Sequence, residues 1–441
     1  MNTKSIRIIP SKSDAHRAFI CSALSVLQSR NSSTLETSLC RTEEDNFKGI
    51  ICEESSEDIE ATKSCLIEML SSEADSVGVN LYCGESGSTL RFLLPIVGAL
   101  GIRGIFHPEG RLSKRPLSPF DDELKKHGMR ISEPGSIPLI SEGKLIPGKF
   151  NIPGNISSQF VSGLLFALPI LDGDSEIIVE GELESAPYVD MTIKTLKAFG
   201  ITIKEFGENP SKRFIVEGNQ AYIHPEKYVV EGDWSNAAFW LAMGAIGKSP
   251  IRVEGLNMES LQGDKSIIDV LKRFGVEINI GSTSSLDEKS EGDTFIEVLP
   301  SREKMKGIIW DAKESPDLVP VVSVLGAMSK GTTKIINAKR LRMKESDRLH
   351  SIHVNLRAMG IKVDELEDGL IIHGATSIKG CEVESHGDHR LAMATAALSV
   401  CQSEGGASKI RLIGHSAVNK SYPAFFRIMS DLELDYGIEL V

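Results

Sequence analysis

One short segment of the chain concentrates side chains that could bind an anion and move a proton. It runs from Arg342 to Arg348 and holds three cations and two carboxylates within seven residues. Such a set could anchor a substrate that carries phosphate and carboxylate groups while also supplying an acid or a base. A surface cluster of ion pairs has the same composition, so the segment alone leaves both interpretations open.

Six places in the chain share a second feature, in which a strand-like run ends in Gly, Ser or Asp and an amphipathic helix follows. These helix starts lie at Lys12-Ser13, Gly87-Ser88, Ser157-Ser158, Asp233-Trp234-Ser235, Asp317 and Asp388. They recur at intervals of roughly 70 to 85 residues, which indicates copies of one structural repeat. Glycines typical of helix ends recur in the same way, at Gly128, Gly200, Gly275 and Gly360. The pattern predicts six α/β repeats, arranged as three in each of two lobes.

Composition and charge limit the partners of the chain. Its 441 residues include 49 basic and 61 acidic side chains, a formal net charge of −12, so the surface as a whole should repel nucleic acid and acidic membranes. An anionic substrate would therefore need a locally basic pocket. The seven cysteines form no C-x-x-C pair and show no metal-ligand spacing, which argues against a disulfide framework and a zinc site.

The sequence predicts neither a targeting segment nor a membrane span. Its first residues lead directly into a strand-like run without the apolar core of a signal peptide. The longest apolar stretch, near 160–171, is too short and too interrupted to cross a bilayer. We therefore expect a soluble protein of the cytoplasm.

The first helix start has the composition of an anion site. Lys12 and Arg17 flank it, and Ser13 offers a hydroxyl beside them. The free backbone N–H groups and the positive dipole end of a helix favour anions at such a place. An ordinary serine-capped helix with basic residues facing solvent is an equally open interpretation.

The second and third helix starts resemble phosphate cradles in composition. Around Gly87, two glycines allow close approach of the backbone to a ligand, hydroxyls stand beside them, and three cations follow in the segment 111–115. Ser157, Ser158 and Gln159 could hold a phosphate and sugar-like hydroxyls. A surface basic loop and simple helix caps are the corresponding structural alternatives.

The later helix starts add carboxylates and a cation. The start at Asp233 is typical of a helix cap, whereas Asp317 stands at a rigid Ser-Pro-Asp turn where it could cap a helix or act as a general base. Around Asp388 and Arg390, no second histidine follows His389 at helical spacing, so a positioned arginine fits better than a metal site.

Taken in this order, the segments resemble the enolpyruvyl transferases, in particular the branch that acts on shikimate 3-phosphate. The resemblance runs from about residue 10 to residue 423 and rests on Lys-Glu-Ser-Asp-Arg at 344–348, Asp-His-Arg-Leu-Ala-Met at 388–393, Ser-Ser-Gln-Phe at 157–160, Ser-Ala-Pro-Tyr at 185–188 and Arg-Pro at 115–116. It implies an inside-out α/β barrel of two lobes, each with three βαβαββ repeats. Residues 11–231 would form one lobe and residues 1–10 with 232–441 the other, with the active site in the cleft between them.

The implied activity is the transfer of the enolpyruvyl group of phosphoenolpyruvate to the 5-hydroxyl of shikimate 3-phosphate, with release of phosphate. Glu345 is the candidate acid and Asp317 the candidate base, and Lys12 could share either duty. The resemblance implies a monomer that needs no metal and no organic cofactor, because phosphoenolpyruvate is already activated.

The resemblance also assigns substrate contacts residue by residue. Those to shikimate 3-phosphate fall on Lys12, Ser13, Arg17, Ser157, Ser158, Gln159, Ser185, Asp317 and Lys344. Those to phosphoenolpyruvate fall on Lys12, Gly87, Arg115, Gln159, Glu345, Arg348, Arg390 and Lys420. Three positions depart from the common pattern: His16 stands in an Ala-His-Arg sequence where members commonly have Ser-Asn-Arg, Phe92 stands where many have proline, and Arg340 where some have asparagine.

Two alternatives remain within this fold. The sister enzymes that use UDP-N-acetylglucosamine carry a cysteine on a mobile loop near the second repeat, and the segment 104–115 here contains none. A non-catalytic binding module should have lost an acid, a base or a phosphate-holding cation. None is missing among Lys12, Arg115, Asp317, Glu345, Arg348, Arg390 and Lys420.

Overall fold

A computed structural model describes residues 3–32, 46–72, 77–282, 294–402 and 409–441. Cys40, one of the cysteines considered above, lies outside these residues, and the other six cysteines are free thiols. No helix within the described ranges has both the length and the apolar character that a membrane span requires.

The first half of the chain alternates strands and helices. Its strands are β1 (Lys4–Arg7), β2 (Ile50–Ile51), β3 (Val79–Gly84), β4 (Gly104–Pro108), β5 (Arg130–Ile131), β6 (Leu139–Glu142), β7 (Lys149–Pro153), β8 (Ser175–Glu180), β9 (Ile203–Phe206), β10 (Arg213–Val216) and β11 (Tyr228–Val229). Its α-helices are α1 (Lys12–Ser32), α2 (Glu57–Ser71), α3 (Gly87–Leu100), α4 (Phe120–Lys126), α5 (Ser158–Ala167) and α6 (Ala186–Ala198).

The second half continues the alternation. Its α-helices are α7 (Trp234–Ile246), α8 (Ile267–Phe274), α9 (Val319–Ala327), α10 (Arg348–Ala358), α11 (His389–Ser399) and α12 (Phe425–Asp431). Its strands are β12 (Ile251–Leu256), β13 (Ile278–Ser282), β14 (Thr294–Val298), β15 (Ile309–Asp311), β16 (Thr332–Ile336), β17 (Lys362–Leu366), β18 (Gly369–His373), β19 (Glu382–Glu384), β20 (Ile410–Ile413) and β21 (Ile438–Leu440). Short 3₁₀ turns at Pro316–Leu318 and Lys339–Met343 precede α9 and α10.

The chain divides into two compact domains. Domain 1 comprises Met1–Ser11 and Glu231–Val441, and domain 2 comprises Lys12–Val230. The N-terminal strand β1 belongs to domain 1 because it pairs in parallel with β12, with Ile6 opposite Val253.

Four sheets repeat one strand pattern, with orders β1-β12-β14-β13, β3-β4-β6-β5, β7-β8-β10-β9 and β15-β16-β18-β17. In each, the first two strands are parallel and the last two join antiparallel, so the sheets are mixed. In three of these sheets one helix lies between the parallel strands and a second precedes the closing hairpin, which gives repeated βαβαββ-like units. In the sheet that begins with β1, the whole of domain 2 and helix α7 lie between β1 and β12 along the chain. Alternating burial, as of Val79, Leu81 and Cys83 in β3, turns one face of each strand toward the core.

Each domain has its own apolar core. In domain 1, the helices α7, α9 and α11 pack against one another, and their residues are buried almost throughout. In domain 2, α3 packs against α5, and both are equally buried. Helices that are apolar around their whole circumference are stable only inside a core, and this packing fixes where their N-terminal ends lie.

The structure confirms the predicted helix starts. Lys12 and Gly87 are the first residues of α1 and α3, and Ser157, Asp233 and Asp388 are the N-cap residues of α5, α7 and α11. Asp317 lies in the 3₁₀ turn that leads into α9. The four predicted helix-ending glycines all have positive φ, between 81° and 94°, a conformation that favours glycine after a helix.

Candidate active site

Lys12 begins α1 and is held by a carboxylate of the next helix in domain 2. Its Nζ lies 2.7 Å from Asp58 Oδ2, and both side chains are mostly buried. Asp58 sits in the acidic first turn of α2, where sequence reasoning had no reason to separate it from its neighbours Glu57 and Glu60. The pair fixes a cation at the first helix start.

Arg17 lies one turn further along α1 and is almost fully buried. Its guanidinium donates to the carbonyl oxygens of Ser13 and Tyr188 and to Thr192 Oγ1, and it stacks over the ring of Phe92. Burial lowers the pKa of Arg17 to about 10, so the side chain stays charged at neutral pH. These contacts orient the guanidinium without neutralising it.

The guanidinium of Arg115 lies against the backbone of Gly87. A Cβ added to Gly87 would lie 2.8 Å from Arg115 Nη1 and 3.0 Å from its Cζ, so no other residue fits without moving the guanidinium. The sequence places these two residues 28 positions apart, and the loop after β4 brings them together.

Gln159 joins the second and third helix starts. Its Nε2 donates to Ser88 Oγ at 2.9 Å, and its Oε1 accepts from Arg91 Nη1 at 2.7 Å. The side chain of Ser157 caps α5 by accepting from the backbone N–H of Gln159. Ser157 is therefore a helix cap, as one interpretation of this segment predicted, and a capping role does not prevent these residues from also binding a ligand.

Ser158 and Ser185 complete the predicted polar residues of domain 2. Ser158 is the first residue of α5 and is buried. Ser185 is the N-cap of α6 and has a left-handed backbone with φ of 57°, which is uncommon for a residue other than glycine. One turn later, the carbonyl of Tyr188 accepts the hydrogen bond from Arg17, so Ser185 lies near the first helix start.

Arg348 is the centre of the candidate site in domain 1. Its Nε lies 2.7 Å from Asp388 Oδ2, its Nη1 2.7 Å from Asp317 Oδ1, and its Nη2 2.8 Å from Glu345 Oε2. The side chain is only 1% exposed. Burial opposes its charge, but Asp388, Glu345 and Asp317 outweigh that effect and raise the pKa of Arg348. One guanidinium thus orients both the candidate acid and the candidate base.

Asp317 is surrounded by cations. Besides Arg348, its carboxylate lies 3.3 Å from Arg390 Nη2 and 3.7 Å from Lys344 Nζ. Burial alone would raise the pKa of Asp317, but Arg390, Lys344 and Arg348 outweigh it and hold the pKa well below its usual range. Asp317 is therefore ionised at neutral pH, and it marks the meeting point of three predicted substrate contacts.

Asp264 is a residue of this cluster that sequence reasoning missed. It is fully buried, its Oδ2 accepts from Ser235 Oγ and lies 3.8 Å from Arg390 Nη1, and burial raises its pKa to about 6. In the sequence it is a lone acid shortly before α8, a pattern shared by many helix caps. Only the packing of α7 and α11 shows that it faces Arg390.

Lys420 contacts the sixth helix start. Its Nζ donates to the carbonyl oxygen of Gly387 at 2.7 Å, immediately before Asp388. Asp388 caps α11 through the backbone N–H of Arg390 and also binds Arg348. Predicted contacts that are distant in sequence are therefore adjacent in domain 1.

The charged residues of segment 342–348 fall into two groups. Arg342 binds Asp347 and Glu365, the latter at 2.7 Å, and so forms a partly buried ion-pair cluster. The cluster around Asp317 instead contains the other three side chains, Lys344, Glu345 and Arg348. Three of these charged side chains therefore lie in the candidate site, and their roles there stay predictions.

Chemically, each domain gathers a different set of groups. Domain 2 presents cations with hydroxyls and backbone N–H groups at helix starts, which suits phosphate and carboxylate binding. Domain 1 presents two carboxylates, Glu345 and Asp317, on a buried guanidinium with further cations beside them, which suits proton transfer next to an anion. Groups of three or more side chains that could hold a metal ion are absent from the described residues.

The sequence model of EPSP synthase (3-phosphoshikimate 1-carboxyvinyltransferase) matches residues 2–429 of the chain. The chain belongs to the EPSP synthase family. The 3-phosphoshikimate 1-carboxyvinyltransferase of Clostridium kluyveri is 42% identical over 436 residues, with 96% of this chain and 93% of the relative covered. That of Clostridium acetobutylicum is 43% identical over 432 residues, with 97% and 94% covered.

Solved structures of the family share the fold. The EPSP synthase of Acinetobacter baumannii superposes with a TM-score of 0.71 at 22% identity and covers 98% of this chain and 95% of its own. The enolpyruvyl transferase NikO of Streptomyces tendae gives a TM-score of 0.67 at 14% identity, with 98% and 94% covered. The enolpyruvyl transferase family indicated by the sequence motifs is confirmed by the family model and by the clostridial relatives.

Proposed function

We propose that the protein transfers the enolpyruvyl group of phosphoenolpyruvate to the 5-hydroxyl of shikimate 3-phosphate and releases phosphate, as a step of aromatic amino acid biosynthesis. The observation that carries the proposal is the cluster around Arg348. There, a candidate acid and a candidate base share one buried guanidinium, with Lys344 and Arg390 next to them. Family membership supplies the substrates that such a cluster would serve.

The reaction needs proton transfer in both of its halves. In the addition, the 5-hydroxyl oxygen bonds to C2 of phosphoenolpyruvate, its proton goes to a base, and C3 gains a proton from an acid. In the elimination, C3 loses a proton and the C2–O bond to phosphate breaks. An acid and a base that exchange roles between the halves satisfy this balance.

Glu345 serves as the acid near C3 and Asp317 as the base near the hydroxyl, with Lys12 able to share either duty. The ionised state of Asp317 supports its role as acceptor of the hydroxyl hydrogen. Its strong ion pairs make it a weak base, so the substrate hydroxyl must approach it closely for transfer. Cations around the leaving phosphate offset the charge that develops there.

The substrate contacts divide between the domains in this proposal. Domain 2 contributes Lys12, Ser13, Arg17, Gly87, Arg115, Ser157, Ser158, Gln159 and Ser185, and domain 1 contributes Asp317, Lys344, Glu345, Arg348, Arg390 and Lys420. The two domains act as the two lobes of an inside-out α/β barrel with three repeats each, and the substrates bind in the cleft between them. The shared βαβαββ-like pattern of four sheets supports the presence of repeats within each lobe.

The protein acts as a monomer in the cytoplasm in this proposal. The six free thiols among the described residues support a reducing compartment. Nothing in the proposed chemistry requires a second copy of the chain, because one chain supplies the acid, the base and every assigned substrate contact.

The sister reaction on UDP-N-acetylglucosamine is the competing assignment, and the enzymes that perform it carry a cysteine near the second repeat. In this sequence the cysteine closest to the second helix start along the chain is Cys83. A hydrogen bond with Cys65 and burial raise the pKa of the Cys83 thiol, so it is poorly suited to attack phosphoenolpyruvate.

The deciding experiment measures phosphate release from phosphoenolpyruvate with each acceptor. We expect turnover with shikimate 3-phosphate and none above background with UDP-N-acetylglucosamine. Glu345→Gln serves as a matched control, since it should suppress the release while the protein stays folded. Release with UDP-N-acetylglucosamine alone would reject the assignment, and release with neither acceptor would favour a binding module.

A further inference from the structure

A chain of buried hydrogen bonds in domain 2 connects the first helix start to the second. His16 Nδ1 lies 2.7 Å from Thr62 Oγ1, which in turn lies 2.6 Å from Thr89 Oγ1. Thr89 Oγ1 donates to Ser86 Oγ at 2.7 Å. The side chains of His16, Thr62, Thr89 and Ser86 are all at most 1% exposed, so water does not compete for these bonds.

The hydrogen bonds of this chain have one consistent direction. A hydroxyl has a single hydrogen, and Thr89 donates its own to Ser86, so Thr89 must accept from Thr62. Thr62 must then accept from His16, which requires the hydrogen of the imidazole to be on Nδ1. Burial, Lys12 and Arg17 lower the pKa of His16 well below 6.5, which keeps the ring neutral.

The chain ends at the N-cap of α3. Ser86 Oγ accepts from the backbone N–H of Thr89 and thereby fixes the first turn of that helix. Gly87 is the next residue, and it is the one against which the Arg115 guanidinium lies. The position of Ser86 therefore determines where Gly87 and Arg115 can present their groups.

Helix α2 bridges the two helix starts through two parallel contacts. Lys12 binds Asp58 and His16 binds Thr62, and in both helices these residues are four positions apart, on one face. The first contact orients a predicted substrate-binding cation. The second links α1 to α3, because Thr62 also forms a hydrogen bond with Thr89 of α3.

We propose that His16 is a positioning residue for enolpyruvyl transfer, acting through Thr62 and Thr89 to fix Ser86 and Gly87 relative to Lys12. The proposal rests on the function proposed above. Because Gly87 and Arg115 are assigned to phosphoenolpyruvate, loss of the hydrogen-bond chain should weaken binding of that substrate much more than binding of shikimate 3-phosphate.

The first test removes the central hydroxyl of the chain. Thr62→Val preserves the shape of the side chain and should raise the KM for phosphoenolpyruvate about tenfold, with a change below about twofold for shikimate 3-phosphate. Thr62→Ser restores a hydroxyl and should restore the KM. The matched control is Thr195→Val, which deletes a buried hydroxyl of α6 that bonds to Met191, lies 3.2 Å from Tyr228 Oη and is not part of the chain.

A KM for phosphoenolpyruvate in Thr62→Val that equals the control's value would overturn the proposal, as would equal increases for both substrates. Should Thr62→Val fail to fold, His16→Asn and His16→Leu give the same contrast at the other end. Asparagine, common at this position in the family, can still donate from the atom that corresponds to Nδ1, whereas leucine cannot.

A second readout is independent of catalysis. Two-bond ¹⁵N–¹H correlation spectra of the wild-type protein should show His16 as the neutral tautomer with hydrogen on Nδ1 between pH 6 and pH 8, with the signal assigned by its loss in His16→Asn. A tautomer with hydrogen on Nε2, or titration within this range, would overturn the proposed direction. Failure of wild-type turnover with shikimate 3-phosphate would instead reject the proposed function and leave this spectrum unchanged.

Discussion

The two buried site arginines, one in each domain, are held in different ways. In domain 2, the hydrogen bonds of Arg17 go to two carbonyl oxygens and a hydroxyl, all neutral acceptors. In domain 1, Arg348 is bound by three carboxylates. Neutral acceptors orient a cation and leave its positive charge available to a ligand. Carboxylates neutralise that charge, and the cation in turn orients the carboxylates. The first arrangement suits anchoring, and the second suits proton transfer.

The largest effect is expected from removing the candidate proton donor of domain 1. Glu345→Gln should lower kcat by on the order of 10²- to 10⁴-fold while the KM of each substrate changes little, because the amide keeps the shape and cannot donate the proton. Steady-state phosphate release measures both constants. The control Glu365→Gln alters a carboxylate that binds Arg342 away from the cluster and should leave kcat near wild type. Equal losses of affinity and turnover would assign Glu345 to binding alone.

The next test compares the two buried arginines. Arg348→Met leaves three carboxylates without their shared partner and should lower the free energy of unfolding by about 3–5 kcal/mol. Arg17→Met removes the donor of neutral acceptors only, so it should lower the free energy of unfolding less, by about 1–3 kcal/mol. Urea denaturation followed by circular dichroism gives both values. A larger loss for Arg17→Met would contradict the distinction between the two arginines.

The smallest expected effect concerns Asp264, whose buried carboxyl has its pKa raised from 3.8 to about 6. The folded state therefore keeps a proton that the unfolded state loses between pH 4 and pH 6, so this group stabilises the fold at low pH and loses that contribution as the pH rises. Asp264→Asn removes this dependence. Relative to wild type, its unfolding free energy should rise by about 2 kcal/mol from pH 4 to pH 7.

The control for this titration is Asp269→Asn, which removes an exposed carboxylate from the nearby helix α8. Urea denaturation at several pH values compares the variants. Parallel pH profiles for Asp264→Asn and wild type would show that Asp264 does not keep its proton in the folded protein.

The repeats and helix starts could be predicted because they depend on local chemistry. The glycines after α4, α6, α8 and α10 have the left-handed conformation that stops a helix, and the spacing of polar helix starts follows the repeat length. Residues such as Arg115 and Arg390 can be assigned from the sequence because their neighbours match family motifs. The catalytic roles of Glu345, Asp317 and Lys12 and their joint use by the two domains remain predictions.

Partners across the fold could not be predicted in this way. Asp58 and Asp264 look like ordinary acids of a first helical turn, and their importance comes from what faces them in three dimensions. The same holds for His16, whose hydrogen-bond chain passes through helices separated by dozens of residues.

The sequence by itself determined the repeat, the helix starts and the family, since each depends on residue type and spacing along the chain. Tertiary structure alone decided which charges meet. It separated Arg342 from Arg348 within one short segment, and it placed Asp264 beside Arg390 and Thr62 beside His16. The reason is physical: the pKa of a carboxylate and the direction of a hydrogen bond depend on neighbours that packing brings together from distant parts of the chain.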